Sequence, residues 1–183
     1  MSSGVSRIAF VGPLGSELTT ALQTLCGSVR STADASRLGR SPQGEALTSG
    51  RIEFGEIDLG GGQRLQLCGC QGTQHLDFVS RWVLSVSVGA FIMVDVTAPD
   101  GAERARALLA EVTAHSCTAI ALVLSARPAT PAQREAFGAA LAAGGGVIVP
   151  ILQVDPANRL QLLDALGVLA SLLALQQEAP PAR

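Results

Sequence analysis

Two runs of uninterrupted apolar residues, "GAFIMVDV" (89–96) and "TAIALVLSA" (118–126), constrain the fold more than any other feature of the chain. Each is short enough for a strand, and each lacks the polar alternation of a strand with one wet face, so both read as strands covered on both sides. Between them, "DGAERARALLAEVTAHS" (100–116) has the period of an amphipathic helix. A strand, a helix and a second buried strand form a βαβ unit with a right-handed crossover and parallel strands. The alternation runs through the chain. "RIAFVG" (7–12) precedes the helical "ELTTALQTLCGSV" (17–29). "TPAQREAFGAALAAG" (130–144) opens with a Thr-Pro helix start, "GVIVPILQV" (146–154) is a further strand, and "NRLQLLDALGVLASLLALQQ" (158–177) is the closing helix.

One stretch departs from that rhythm. "RIEFGEIDL" (51–59) alternates apolar and polar residues as a half-exposed strand does, and the turn "GGGQ" leads straight into "RLQLCGC" (64–70). Together they predict a hairpin and one antiparallel strand. "HLDFVSRWVLSVSV" (75–88) is predicted to be a helix, and 30–50 is small, polar and irregular, as a long mobile loop would be. The expected fold class is α/β: a mostly parallel central sheet with one antiparallel strand and helices on both faces. A chain of 183 residues fits one such domain, placed at 1–177 with a disordered tail at 178–183.

Composition removes several functions. The formal net charge is −2, with no clustered basic surface of the kind nucleic acid requires. All 13 basic residues are arginine, so no lysine is available anywhere in the chain. Of the four cysteines, Cys26, Cys68, Cys70 and Cys117, the pair Cys68 and Cys70 share one strand face and read as small buried hydrophobes, since no matching Cys/His pair completes a metal site. No signal-peptide stretch and no run of about 18 apolar residues stands out, so a cytoplasmic protein with reduced thiols is expected.

The first strand ends in "FVGPLGSELTTAL" (10–22), which has the shape of a phosphate-binding loop: a strand, a glycine-rich turn, then a helix. Such a turn sits at the carboxyl edge of the sheet, where α/β folds bind ligands. The phosphate-loop pattern is G-x-x-x-x-G-K-[ST]. This chain runs Gly12, Pro13, Leu14, Gly15, Ser16, Glu17, Leu18, Thr19, Thr20, so the second glycine has become an acid and the lysine an apolar residue.

That loop, with "RIEFGEIDL", "LCGCQGTQHLDFVSRWVLSVSVGAFIMVDV" and "VPILQVDPANR", resembles the Ras-like small GTPases, and among them the bacterial MglA-type and conservon-encoded branch, over roughly residues 7–175. The resemblance implies roles for particular residues. Thr19 matches the hydroxyl that holds Mg²⁺. Thr48 and Ser49 fall near the switch I threonine. In the switch II segment, Gly69 stands where many members carry an aspartate, Gly72 is the glycine whose N–H meets the γ-phosphate, Thr73 replaces the water-orienting glutamine, and Gln74 follows it. Ser125, Ala126, Arg127 and Pro128 occupy the guanine-reading segment without its asparagine or aspartate. Asp155, Pro156 and Ala157 lie in the last base-contacting region. His75 reads as an exposed loop residue and His115 as a helix C-terminal residue.

The substitutions weigh heavily against nucleotide binding. An acid about 5 Å from a phosphate, at an effective dielectric of about 20, is repelled by roughly 3 kcal/mol. The missing lysine removes attraction of similar size, and the missing base-pairing carboxylate roughly 1.5–3 kcal/mol more. On the order of 7 kcal/mol is about five powers of ten in affinity. Binding would survive if Glu17 turned outward and left Gly12 and Gly15 as an N–H nest, or if Arg51 or Arg127 supplied the charge. Glu17→Gly with Leu18→Lys is expected to restore weak triphosphate binding unless Leu18 or the 125–128 turn fills the cavity. The reading is a pseudo-GTPase with no cofactor, no metal and no catalytic residue, a regulatory or scaffolding module. It would bind a protein through the former switch surface (45–58 and 70–84), with Phe54, Phe78 and Trp82 as candidate anchors, core packing being the commoner alternative for the tryptophan. The resemblance implies a Roadblock-type protein or an active small GTPase of the same family as partner. The alternative is an atypical small GTPase whose GTP and Mg²⁺ site needs a partner to complete it.

Overall fold

The computed structural model describes residues 5–12, 16–31, 52–72, 78–115, 120–143 and 149–178. Its strands are β1 (Ser6–Gly12), β2 (Arg30–Ser31), β3 (Ile52–Gly60), β4 (Gln63–Gln71), β5 (Gly89–Val94), β6 (Ala121–Ser125) and β7 (Ile151–Gln153). Its helices are α1 (Ser16–Cys26), α2 (Phe78–Ser85), α3 (Gly101–His115), α4 (Pro131–Ala142) and α5 (Arg159–Glu178). The strands form one seven-stranded sheet in the order β2-β3-β4-β1-β5-β6-β7.

The α/β expectation holds. β1, β4, β5, β6 and β7 run parallel, while β3 makes the two antiparallel pairs, one with β4 and one with β2. The hairpin forms as predicted. Gly60, Gly61 and Gly62 all take positive φ at its turn (82°, 62° and 78°), a left-handed path that side chains resist. Residues 30–31, expected to be irregular, instead form β2, with Arg30 opposite Phe54. Two residues carry too little periodicity for a strand to be read from them. The remainder of that loop, 32–50, lies outside the described residues, as does Arg51, read as the start of the next strand.

The central strand β5 is apolar throughout, and β6 nearly so, because the sheet separates two cores. On one face Ala9, Val11, Cys68, Ile92 and Val123 pack under Val83 and Leu84 of α2, Leu108 and Val112 of α3 and Phe137 of α4. On the other, Ile8, Phe10, Leu67, Phe91 and Leu122 meet Leu18, Leu22 and Leu25 of α1 and Leu162, Leu166 and Leu169 of α5. A fully buried leucine or phenylalanine contributes about 1.5–3 kcal/mol, so these layers dominate cohesion. Cys68 and Cys70 are fully buried, as their strand position implied. α4 starts where Thr-Pro predicts: the Thr130 hydroxyl accepts from the Gln133 N–H, and the Gln133 side chain accepts from the Thr130 N–H, a complete capping box.

α5 corrects one expectation. By length and composition it is apolar enough to cross a membrane, although no such run stood out in the sequence. Its Leu162, Ala165, Leu166 and Leu169 are buried against the sheet, while most of the helix is not.

Candidate functional site

β1 ends at Gly12, β5 at Val94 and β6 at Ser125, so their carboxyl ends open onto one cleft. The cleft has a volume of about 250 Å³, and Gly12, Glu17, Leu18, Asp95, Arg104 and Arg127 are among its lining residues. That is below the range of about 300–1,000 Å³ common for small-molecule pockets. It unites residues far apart in sequence, bringing Gly12, Glu17 and Leu18 together with Ala126 and Arg127.

At the floor, Leu18 stands in the lysine position and is only 2% exposed. Its side chain lies over two neighbouring strands, β1 and β4, on the α1 face of the sheet. A Cβ added to Gly12 would sit 3.6 Å from Leu18 Cδ1, and one added to Gly69 would sit 2.5 Å from Leu18 Cδ2. The absence of a side chain at Gly69, where an aspartate was the alternative, therefore makes room for the leucine. Thr19, the residue matched to the Mg²⁺ hydroxyl, donates its Oγ1 hydrogen to Glu53 Oε1 at 2.9 Å. Glu53 is 1% exposed. It was read as the wet position of an alternating strand, but α1 covers that side of β3. The N–H of Gly72, matched to a γ-phosphate donor, instead donates to the Gly12 carbonyl at 2.8 Å and extends the β1–β4 ladder.

The mouth is closed by charge. Arg127 Nη2 donates to Glu17 Oε1 at 3.1 Å, and Arg127 Nε lies 3.7 Å from Asp95 Oδ2. Glu17 thus lines the cleft, and Arg127 spends its charge on the chain's own acids. Asp95 accepts from the Thr97 hydroxyl at 2.6 Å and the Thr97 N–H at 2.9 Å. These contacts, the hydroxyl first, hold its carboxyl below the usual carboxylate range against the opposing effect of burial, and Arg127 adds to them. Arg104 lines the same cleft but pairs with Asp100 at 2.6 Å.

The segment matched to the guanine-reading element, already without its reading residues in the sequence, is a pinned turn. Gln153 Nε2 donates to the carbonyls of Ser125 and Arg127, both at 2.9 Å, and its Oε1 accepts from the Ala129 N–H at 3.2 Å. Ser125 is fully buried, and its hydroxyl donates to the Arg127 carbonyl. The N–H of Ala126 donates to the Val94 carbonyl, while Pro128 is exposed. Asp155 accepts from the Ala157 N–H in a local turn ahead of α5.

Glu53, Asp95, Gln153 and Arg104 were not singled out from the sequence. Only Asp95 had a local signal, the Asp-x-Thr spacing of a side-chain turn just after a buried strand. Pro13, Leu14, Gly15, Thr48, Ser49, Arg51, Thr73, Gln74, His75 and Cys117 lie outside the described residues, as does the side chain of Ser16; Thr20 is half-buried on α1. His115 ends α3, 3.6 Å from Glu111.

Of the three surface anchors, two are on the surface. Phe78 is 83% exposed and Trp82 51%, one turn apart on α2, with the Arg7 guanidinium 5.7 Å from the indole centroid. Phe54 is drawn partly inward against the core beneath α2, α3 and α4, so it is not part of that patch. Burial raises the Cys26 and Cys68 thiols to about 11, which removes both as nucleophiles at neutral pH. Comparison of the chain with protein-family models finds no match, and comparison with the curated proteins finds none either.

Proposed function

We propose that the protein is a Ras-like pseudo-GTPase that works as a regulatory or scaffolding module in the cytoplasm, binding a protein partner without nucleotide chemistry. The observation that carries this reading is the contact set of the first turn of α1. Glu17 is ion-paired to Arg127, Leu18 is buried against Gly69, and Thr19 is bonded to Glu53. Phosphate recognition needs a free cation and free donors at the end of the strand. In this chain, the residues matched to those roles face other side chains. The partner surface is α2, where an exposed phenylalanine and tryptophan stand one turn apart, the tryptophan beside Arg7 near the start of β1. Aromatic residues of this kind dominate the energy of protein interfaces. A Roadblock-type protein or an active small GTPase is the partner class that the resemblance supports.

The test is thermal unfolding with GTP, GDP and ATP, each with Mg²⁺. A ligand at a hundred times its dissociation constant adds about 2.7 kcal/mol, so binding would be plain. No shift is expected, and a GTP-selective shift would favour the atypical GTPase instead. Affinity capture from the native host with the unmodified protein and with Trp82→Ala addresses the partner. A partner retained equally by both would move the docking surface away from α2.

A further inference from the structure

We propose that Arg127, seated between Glu17 and Asp95, is a built-in lock that bridges the cleft in place of a ligand. The three residues come from three elements: Glu17 from α1, Asp95 from the turn after β5, and Arg127 from the turn after β6. A ligand in such a cleft would tie those same segments together. The backbone that carries Arg127 is held from behind, because the Gln153 amide and the Ser125 hydroxyl both bond the Arg127 carbonyl. Asp95 is likewise fixed by its two bonds from Thr97.

The charge count gives the lock a signature that an incidental surface pair lacks. One arginine stands between two carboxylates. Removing Arg127 leaves Glu17 and Asp95 as like charges on the two sides of the cleft, which pushes α1 from the β5 turn. Neutralising Glu17 still leaves Arg127 with Asp95. Loss of the arginine must therefore loosen the segments more than loss of the glutamate. The inference does not depend on which protein α2 binds or on whether it binds one.

Amide hydrogen exchange of the full chain, read by mass spectrometry, tests this in the unmodified protein, Arg127→Ala, Arg127→Lys and Glu17→Gln. Arg127→Ala is expected to speed exchange about three- to fivefold in 17–22 and 95–98 as well as in its own turn. Glu17→Gln should give roughly twofold or less, and Arg127→Lys should stay close to the unmodified rates because the charge is kept. Salt near 1 M, with a Debye length of about 3 Å, should move the unmodified protein toward Arg127→Ala. Faster exchange confined to 125–129 would overturn the proposal, since the arginine would then matter only to its own turn. So would a lysine variant that behaves like alanine, or a Glu17→Gln effect equal to that of Arg127→Ala.

Discussion

The floor and the mouth of the cleft are closed by different physics. At the floor Leu18 is 2% exposed and packs where Gly69 lacks a side chain, while Thr19 and Glu53 bond to each other. At the mouth the side chains of Arg127, Glu17 and Asp95 are 62%, 36% and 29% exposed. Volume decides the first region, because a close-packed interior yields little to any change of shape. Charge decides the second, where water and salt screen each pair to about 0–1 kcal/mol. The floor should therefore resist conversion into a phosphate site, whereas the mouth should respond to single substitutions and to salt.

The most disruptive way to break this comparison is Gly69→Asp, which restores a carboxylate that many members of the resembled family carry. Its Cβ would lie 2.5 Å from Leu18 Cδ2 and 2.6 Å from Leu22 Cδ1, with Glu53 on the neighbouring strand. Overpacking and a buried like charge together should cost on the order of 4 kcal/mol, read as the urea unfolding free energy. A variant as stable as the parent would show that the floor is loose.

Leu18 comes next. Leu18→Ala should cost about 2–4 kcal/mol through the void left between α1 and the sheet over β1 and β4. Leu18→Lys with Glu17→Gly, expected from the sequence alone to recover triphosphate binding, is now expected to lose stability first. Burying an ammonium where an isobutyl group packed should cost roughly 3 kcal/mol unless the charge is lost. Titration calorimetry with GTP and ATP should show no binding. Weak Mg²⁺-dependent binding of both would mean that the leucine is a plug and not a part of the core.

A much smaller effect belongs to the mouth. Arg127→Ala should lower stability by no more than about 1 kcal/mol, a shift of roughly 2–4 °C in Tm. The shift should shrink in high salt, while the cost of Leu18→Ala should not. Equal salt sensitivity in both variants would erase the distinction between the two regions.

The sheet was legible because its signals are local and repeated. "GAFIMVDV" and "TAIALVLSA" could only be doubly covered strands, and Thr-Pro with Gln133 marked the start of α4. The identities at the cleft were legible too, since an acid at Glu17 and an apolar residue at Leu18 are visible in the sequence itself. Their partners were not. Glu17 and Arg127 are 110 residues apart, and nothing in either neighbourhood announces the other. Glu53 misled for a related reason: strand alternation says which residues share a face, but not that α1 lies over that face. Phe54 sits on the other side of the same strand and was pulled toward the core by neighbours equally distant in sequence.

The finest distinction between the two regions concerns Asp95, which belongs both to the mouth and to the rigid turn behind it. Its carboxyl titrates below the ordinary value of 3.8, first because of the Thr97 hydroxyl and to a lesser degree because of Arg127. A depressed folded-state value means that Asp95 stabilises the fold fully above 3.8 and loses that contribution as pH falls through the lower folded value. Neutral and mildly acidic solutions should therefore show no change from this group, with the loss confined to stronger acid. The two causes separate by substitution. Thr97→Val removes the hydroxyl and keeps the N–H, and Arg127→Ala removes only the charge. Following the Asp95 carboxyl carbon by NMR, Thr97→Val should move its titration up toward 3.8 by more than Arg127→Ala does. In that case Asp95 is positioned by its own turn, and the arginine is drawn to a carboxylate already in place. The reverse order would make the ion pair the organiser of the turn, and the mouth would then be a single charged unit whose parts hold no shape without one another.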